Sequence, residues 1–208
     1  MSYRTLALLA LALATVLPSR AALAPSAEEA AALPIGAKAP TAVLVTANRK
    51  QFDLAQAFHE KPTVLVFYRG GWCPFCSRHL SELGDVELEL RKLGFQIIAI
   101  TPEPPEKLTP TAKDTNARFQ LLSDSATLVA RAFGVAYHIS NETGKNYREN
   151  GIELTPLEDG SGYWLPIPSA FIITPDATVR FAFSNADPSI RVSGAELLAA
   201  ARTVVAQK

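Results

Sequence analysis

The chain has 208 residues, 48% hydrophobic and 19% charged, enough for one ordinary globular domain with a substantial core. Twenty Lys and Arg balance twenty Asp and Glu, so the formal net charge is zero and no basic footprint marks a nucleic-acid partner. Only two cysteines occur.

At the N-terminus Arg4 precedes an apolar run over residues 6–17, followed by Pro18-Ser19-Arg20 and small residues. This order is that of a secretory signal. The run is roughly 12 residues against about 20 for a membrane span, so no stable insertion is expected after cleavage, at Ala21 or Ala24. An uncleaved anchor is the alternative. Residues 1–24 are read as the signal, 25–39 (rich in Ala, Pro and Glu) as a flexible linker, and 40–208 as the domain. Export, to a periplasm or outside the cell, means an oxidising compartment.

The domain opens on an extended segment over 40–45, turned by Asn48-Arg49-Lys50 towards Phe52, and a short helix over 54–59. Residues 63–68, β-branched and aromatic, predict a buried strand. It breaks at Gly70-Gly71 before Trp72-Cys73-Pro74-Phe75-Cys76. Leu80, Leu83, Val86, Leu90 and Leu93 then recur at helical spacing until Gly94. A strand over 95–100 follows. Four prolines in 102–116 argue against a firm helix there. A short strand over 119–122 leads to a helix over 125–133, opened by Asp124 or Ser125.

Residues 137–165, polar and rich in Gly and Asn, read as an insertion with one hairpin. Two antiparallel strands, 168–174 and 178–183, join through Pro175-Asp176. A last helix starts at Ser193, with Glu196 completing a capping box. The order predicts an α/β fold: a central mixed sheet, parallel first and antiparallel at one edge, flanked by helices. Reactive groups in such sheets gather at the carboxyl ends of strands, where Cys73 falls.

A thiol at a helix start meets unpaired N–H groups and the positive dipole end, which favour the nucleophilic thiolate. A second thiol three positions on can close a disulfide with it. This is apparatus for thiol–disulfide or thiol–peroxide chemistry, with no bound cofactor required. Arg69 either supplies positive charge to a thiolate or is a solvated loop residue, and Trp72 either shields the first thiol or simply packs.

Cys-Pro-Phe-Cys after a hydrophobic strand resembles the redox centre of the thioredoxin superfamily. The segment 165–171, Leu-Pro-Ile-Pro-Ser-Ala-Phe, resembles that superfamily's proline segment. The resemblance implies a thioredoxin-like fold with a cis bond before Pro168, and Ile167 backbone groups presented to an extended substrate. From about residue 36 to 183 the chain more closely resembles peroxiredoxin-like proteins of the AhpC/TSA group, related to BCP and PrxQ. The landmarks are Phe67-Tyr68 with its cysteines, Leu122-Ser123-Asp124, Phe133-Gly134-Val135 and Phe171-Ile172-Ile173.

In that register Arg69 takes the family's Pro position, Cys73 its Thr position and Cys76 its peroxidatic position. The family arginine before the 171–173 strand is absent, with Ser169-Ala170 in that region. The resemblance implies an antioxidant oxidoreductase that reduces hydroperoxides or disulfides and is regenerated by an external thioredoxin-like dithiol. Thioredoxin geometry makes Cys73 the attacker; peroxiredoxin register makes it Cys76. Both end in a Cys73–Cys76 disulfide.

Other classes give a disulfide reductase without peroxidase activity, a structural disulfide, or a Cu(I) carrier using Cys73, Cys76 and His79. Covalent haem attachment would want His where Ser77 stands. Asp53, Glu60 and Asp124 are read as turn or cap residues before acid–base groups.

Overall fold

The computed structural model describes residues 23–206. The elements in chain order are β1 Val43–Val45, β2 Gln51–Asp53, α1 Leu54–Glu60, β3 Thr63–Phe67 and α2 Pro74–Lys92. There follow β4 Gln96–Thr101, α3 Pro105–Asp114, β5 Gln120–Ser123, α4 Leu128–Ala132, β6 Ala136–Ile139 and α5 Asn141–Glu149. The chain closes with β7 Tyr163–Pro166, β8 Ser169–Ile173, β9 Val179–Ser184 and α6 Gly194–Ala206.

Seven strands form one mixed sheet in the order β2-β1-β5-β4-β3-β8-β9. Strands β3, β4 and β5 run parallel, and β8 and β9 form the expected antiparallel edge. The all-apolar β3 is buried throughout because both faces of the sheet are covered there. Successive side chains of a strand point to opposite faces, and this divides the core in two. Leu65 and Phe67 join Phe133 and Phe171 on one face, with the Phe67 and Phe133 ring centroids 5.3 Å apart. Val64, Val66 and Tyr68 face the other side, where α2 and α6 bring Cys76, Leu80, Leu83, Leu90, Leu197 and Ala201. Tyr68 thereby shares a face with both cysteines.

Helix α2 buries Cys76, His79, Leu80, Leu83, Glu87 and Leu90, a single stripe at helical spacing. Gly94, at φ 87°, ends it in the left-handed conformation expected. Helix α6 approaches α2 closely through Gly194, where a Cβ would lie 2.7 Å from the Glu82 carbonyl oxygen. The Ser193–Glu196 capping box is formed in both directions, at 2.7 and 3.2 Å.

Three of the expected elements need correction. The Pro-rich stretch does form a helix, α3. Pro104 and Pro105 occupy its start, where a missing N–H costs nothing, and burial of Leu108 in the core and of Thr111 against Gly71 outweighs Pro110 inside the helix. Helix α4 starts later than residue 125, after Thr127 at φ 58°. Asp124 still caps it, accepting from Leu128, Val129 and Ala130 N–H at 2.7, 3.0 and 2.8 Å. Residues 137–165 are more ordered than one hairpin: β6 and β7 pair antiparallel around a connection that contains α5.

The described part of 25–39 has no helix or regular strand, yet it is fastened along its length rather than hanging as a linker. Leu33 N–H donates to Phe133 C=O at 3.0 Å and Gly36 N–H to Val179 C=O at 2.8 Å. Ala27, Ala30, Ala32 and Leu33 pack over the Phe67–Phe171 side of the core. Residues 1–22 of the expected signal lie outside the described residues. No helix among the described residues is long and apolar enough to cross a membrane.

Candidate active site

Strand β3 ends at Phe67, and Tyr68 to Trp72 turn the chain into α2. Cys73 is the N-cap of that helix, with Pro74 at its first position. The Cys73 carbonyl accepts from Cys76 N–H at 2.9 Å and Ser77 N–H at 3.0 Å, which fixes the two thiols on the first turn. Both cysteines are free thiols, 1% and 0% exposed.

The turn is held from the neighbouring parallel strand. Glu103, just past β4, accepts Gly71 N–H at 2.8 Å, and Ser77 Oγ donates to Gly71 C=O at 3.0 Å. Gly70 is required by space as well as by its φ of 156°: a Cβ there would lie 2.3 Å from Trp72 Nε1 and 2.9 Å from the Glu103 carboxyl carbon. Two adjacent strand ends thus build one site, as an α/β sheet favours.

The two thiols are driven apart electrostatically. Hydrogen bonding from the Cys76 thiol is the main influence lowering Cys73 to about 6; the Cys76 N–H and the charges of Arg69 and Arg191 assist it against burial. Burial pushes Cys76 up, reinforced by its hydrogen bond to Cys73, although Arg191 pulls the other way. The asymmetry favours ionisation at Cys73 over Cys76.

Arg69 and Trp72 meet the β6–α5–β7 module. Arg69 hydrogen-bonds to the Tyr147 hydroxyl on α5 and lies 5.0 Å from the Trp72 ring centroid. Trp72 and Tyr147 pack edge to face at 5.6 Å. Thr155 ties the same module to Pro102 C=O at 2.6 Å. The supposed insertion covers the flank of the motif. Arg69 is engaged with aromatic rings rather than free in solvent, and Trp72 packs in the same core cluster as both cysteines.

The proline segment is organised differently from expectation. The Ile167–Pro168 peptide is trans, like every peptide bond among the described residues. The segment is the extended passage from β7 to β8. Ile167 is 2% exposed, donates its N–H to Val135 C=O at 2.9 Å and accepts Ser169 Oγ at 2.9 Å. Its backbone is consumed internally, so it presents no strand edge to a substrate.

Among the described residues no group of three His, Cys, Asp or Glu is placed to hold a metal ion. His79 does not converge with the cysteines as a third ligand. It is buried on α2, and burial, with the Arg191 charge, lowers it to about 4. Asp53 caps α1 and Asp124 caps α4, as expected of them, and exposed Glu60 accepts from Gln56 at 2.7 Å.

Three residues of the site were not singled out from sequence: Glu103, Tyr147 and Arg191. Glu103 carried a signal, standing just beyond the carboxyl end of a strand. It is 8% exposed, and burial raises its pKa against the Gly71 hydrogen bond. Tyr147 and Arg191 sit in segments with no local mark of chemistry.

A mixed sheet flanked by helices, with a pair of thiols just past the end of a central parallel strand, defines a thioredoxin-like fold. The AhpC/TSA family model matches residues 35–182, and the chain belongs to that family. Over 103 residues, half of this chain, it is 33% identical to a putative peroxiredoxin bcp of Haemophilus influenzae and 32% identical to peroxiredoxin Bcp of Escherichia coli. The matched part spans 66% and 65% of those proteins, just under two thirds. The crystal structure of peroxidoxin BcpB from Mycobacterium tuberculosis superposes with a TM-score of 0.66 at 20% identity, covering 83% of this chain and 98% of that one.

Proposed function

We propose that the protein is a thiol peroxidase that reduces hydroperoxides through Cys73 and Cys76. The observation that carries this reading is the pair itself: one thiol lowered to about 6 and hydrogen-bonded by a second thiol on the same helical turn. Membership of the AhpC/TSA family supports it. The Cys73 thiolate attacks one oxygen of the hydroperoxide and the O–O bond breaks. Cys73 becomes a sulfenic acid, and the alkoxide or hydroxide leaves and takes up a proton. Cys76 then attacks the Cys73 sulfur, water departs, and the disulfide forms. An external thioredoxin-like dithiol returns both thiols.

Burial favours a small acceptor over a protein disulfide. At 1% exposure, Cys73 can be reached by a peroxide with far less opening than a folded protein needs. Reduction by a dithiol protein then requires the Cys73 sulfur to become accessible in the oxidised form.

The signal-like N-terminus supports export, to a periplasm or beyond. Cleavage after Ala21 suits the fold better than after Ala24. Ala24 N–H donates to Ala136 C=O at 3.1 Å and its C=O accepts His138 N–H at 2.9 Å, bonds that the later cut removes. Mass measurement of the exported protein checks this: an N-terminus at Ala22 is expected, and one at Pro25 contradicts it.

Rapid mixing of the reduced protein with hydrogen peroxide tests the activity, with Trp72 as reporter beside Cys73. Oxidation far faster than that of a free thiol is expected. A rate no better than a free thiol removes the peroxidase reading, and insulin reduction then becomes the assay for a disulfide reductase.

A further inference from the structure

The turn that carries the thiols hangs on a single peptide plane. The Gly70–Gly71 peptide is trans, so its carbonyl and its N–H point to opposite sides. On one side Gly70 C=O accepts Cys73 N–H at 3.2 Å. On the other Gly71 N–H donates to Glu103 Oε2 at 2.8 Å. Glu103 and the backbone of Cys73 are thus joined by two hydrogen bonds through one plane, each polarising the other. Two glycines flank the plane and offer little resistance to its turning over. Side chains are excluded there by space: a Cβ on Gly71 would lie 2.2 Å from Thr111 Oγ1, and one on Gly70 2.3 Å from Trp72 Nε1.

Glu103 is a rigid support for that plane. Its C=O accepts Ser123 Oγ from β5 at 2.7 Å, and its N–H donates to Thr101 Oγ1 at the end of β4 at 3.3 Å. None of the ion pairs formed among the described residues includes it. Among those residues its buried carboxylate accepts one hydrogen bond, the one from Gly71. A buried carboxylate is costly, and a stability role alone would be met as well by an apolar side chain of the same shape.

We propose that Glu103 is a positioning residue for the attacking thiol: through the Gly70–Gly71 peptide it holds the Cys73 N–H, and with it the sulfur, at the first turn of α2. With the plane fixed, Cys73 is gripped at both ends, since its own C=O takes the Cys76 and Ser77 N–H groups. Its sulfur then stays against the Cys76 thiol and N–H. Without the acceptor on Glu103 the plane turns, Gly70 C=O leaves Cys73 N–H, and the sulfur loses that fixed place. The titratable or charged groups that face Cys73 are Cys76 on α2, Arg69 on the turn, Arg191 before α6 and Tyr137 on β6. Arg191 Nη2 also lies 3.3 Å from Cys76 Sγ. Lys107 on α3 and Tyr68 past β3 face Glu103. The assignment deepens the peroxidase reading and rests on it only for the identity of the oxidant.

In C76S a hydroxyl keeps the neighbouring donor and Cys73 is the sole thiol, so ultraviolet thiolate absorbance reports Cys73 alone. E103A and E103Q are added to that parent. Were Glu103 only a negative charge near the thiol, both changes would increase the thiolate. Positioning predicts different outcomes for the two. E103A should give about tenfold less thiolate at a given pH below the midpoint, equivalent to one pKa unit. E103Q, whose amide oxygen still accepts from Gly71, should give as much as the parent or more. An E103A curve that coincides with the parent, or shows more thiolate, overturns the proposal, as does an E103Q loss as large as that of E103A. If E103A fails to fold, E103D decides, because its carboxylate is one methylene short of the 2.8 Å contact. A tenfold loss in E103D then supports the positioning role, and a curve coincident with the parent contradicts it. Oxidation of the unaltered protein by hydrogen peroxide no faster than that of a free thiol removes the peroxidase reading, and the titration still decides the role of Glu103.

Discussion

Cys73 and Cys76 share one helical turn and differ mainly in what surrounds them. The carbonyl of Cys73 starts the helix while its sulfur receives the Cys76 thiol; Cys76, three residues on in the same turn, is wholly buried. Because the ionised form is the reactive one, alkylation of Cys73 should rise with pH through about 6 and level off well below the ordinary thiol range. A midpoint near that of a free thiol contradicts this. C76A should shift the midpoint upward, since it removes the side-chain hydrogen bond that is the largest lowering influence. Glu103→Ala leaves the Gly71 N–H without its acceptor and should cost about 1–3 kcal/mol in chemical denaturation, where Glu103→Gln costs less. At this scale the cysteines were legible because the chain has no others and they follow a strand. Arg191 was not, because its meaning depends on a loop folded back onto α2.

The elements that surround the motif do more than carry it. Helix α5 and the β6–β7 pair occupy a stretch whose polar composition reads as loop. Ser140 caps α5 by accepting Thr143 N–H at 3.1 Å, and Tyr147 on that helix holds Arg69 and Trp72. Tyr147→Ala should therefore raise the reactivity of Cys73 towards bulky thiol reagents more than towards small ones, read as a ratio of alkylation rates. An unchanged ratio would mean that α5 does not govern access. Gly194→Ala should separate α6 from α2, lower stability by about 1–3 kcal/mol and weaken the Arg191 contact, because the added methyl meets backbone rather than a yielding side chain. Strands β3, β4, β8 and β9 and helices α2 and α6 were readable from hydrophobic period and caps. Helix α3 was not, because burial of Leu108 and Thr111 outweighs its prolines.

For the molecule as a whole, one sheet with two different faces determines where chemistry is possible. The Phe67–Phe133–Phe171 face is sealed partly by the residues that precede β1, and the opposite face holds the two thiols between α2, α6 and the strand ends. Removing residues 23–39 should lower the melting temperature by uncovering the first face, while the cysteines keep their local environment. An unchanged melting temperature would contradict the packing role of that segment. The α/β class and the strand order followed from the alternation of elements. The covered N-terminal segment escaped because its Ala-rich composition resembles a tether until its partners, Phe133 and Val179, are in place.

In the cycle we propose, Cys73 takes the oxygen and Cys76 resolves it. Mass spectrometry of C76S and C73S after one brief peroxide exposure, with a sulfenic-acid trap present, addresses it most directly. A trapped sulfenic acid is expected on Cys73 in C76S, little on Cys76 in C73S, and a Cys73–Cys76 disulfide in the unaltered protein. Faster trapping on Cys76 in C73S than on Cys73 in C76S would contradict it.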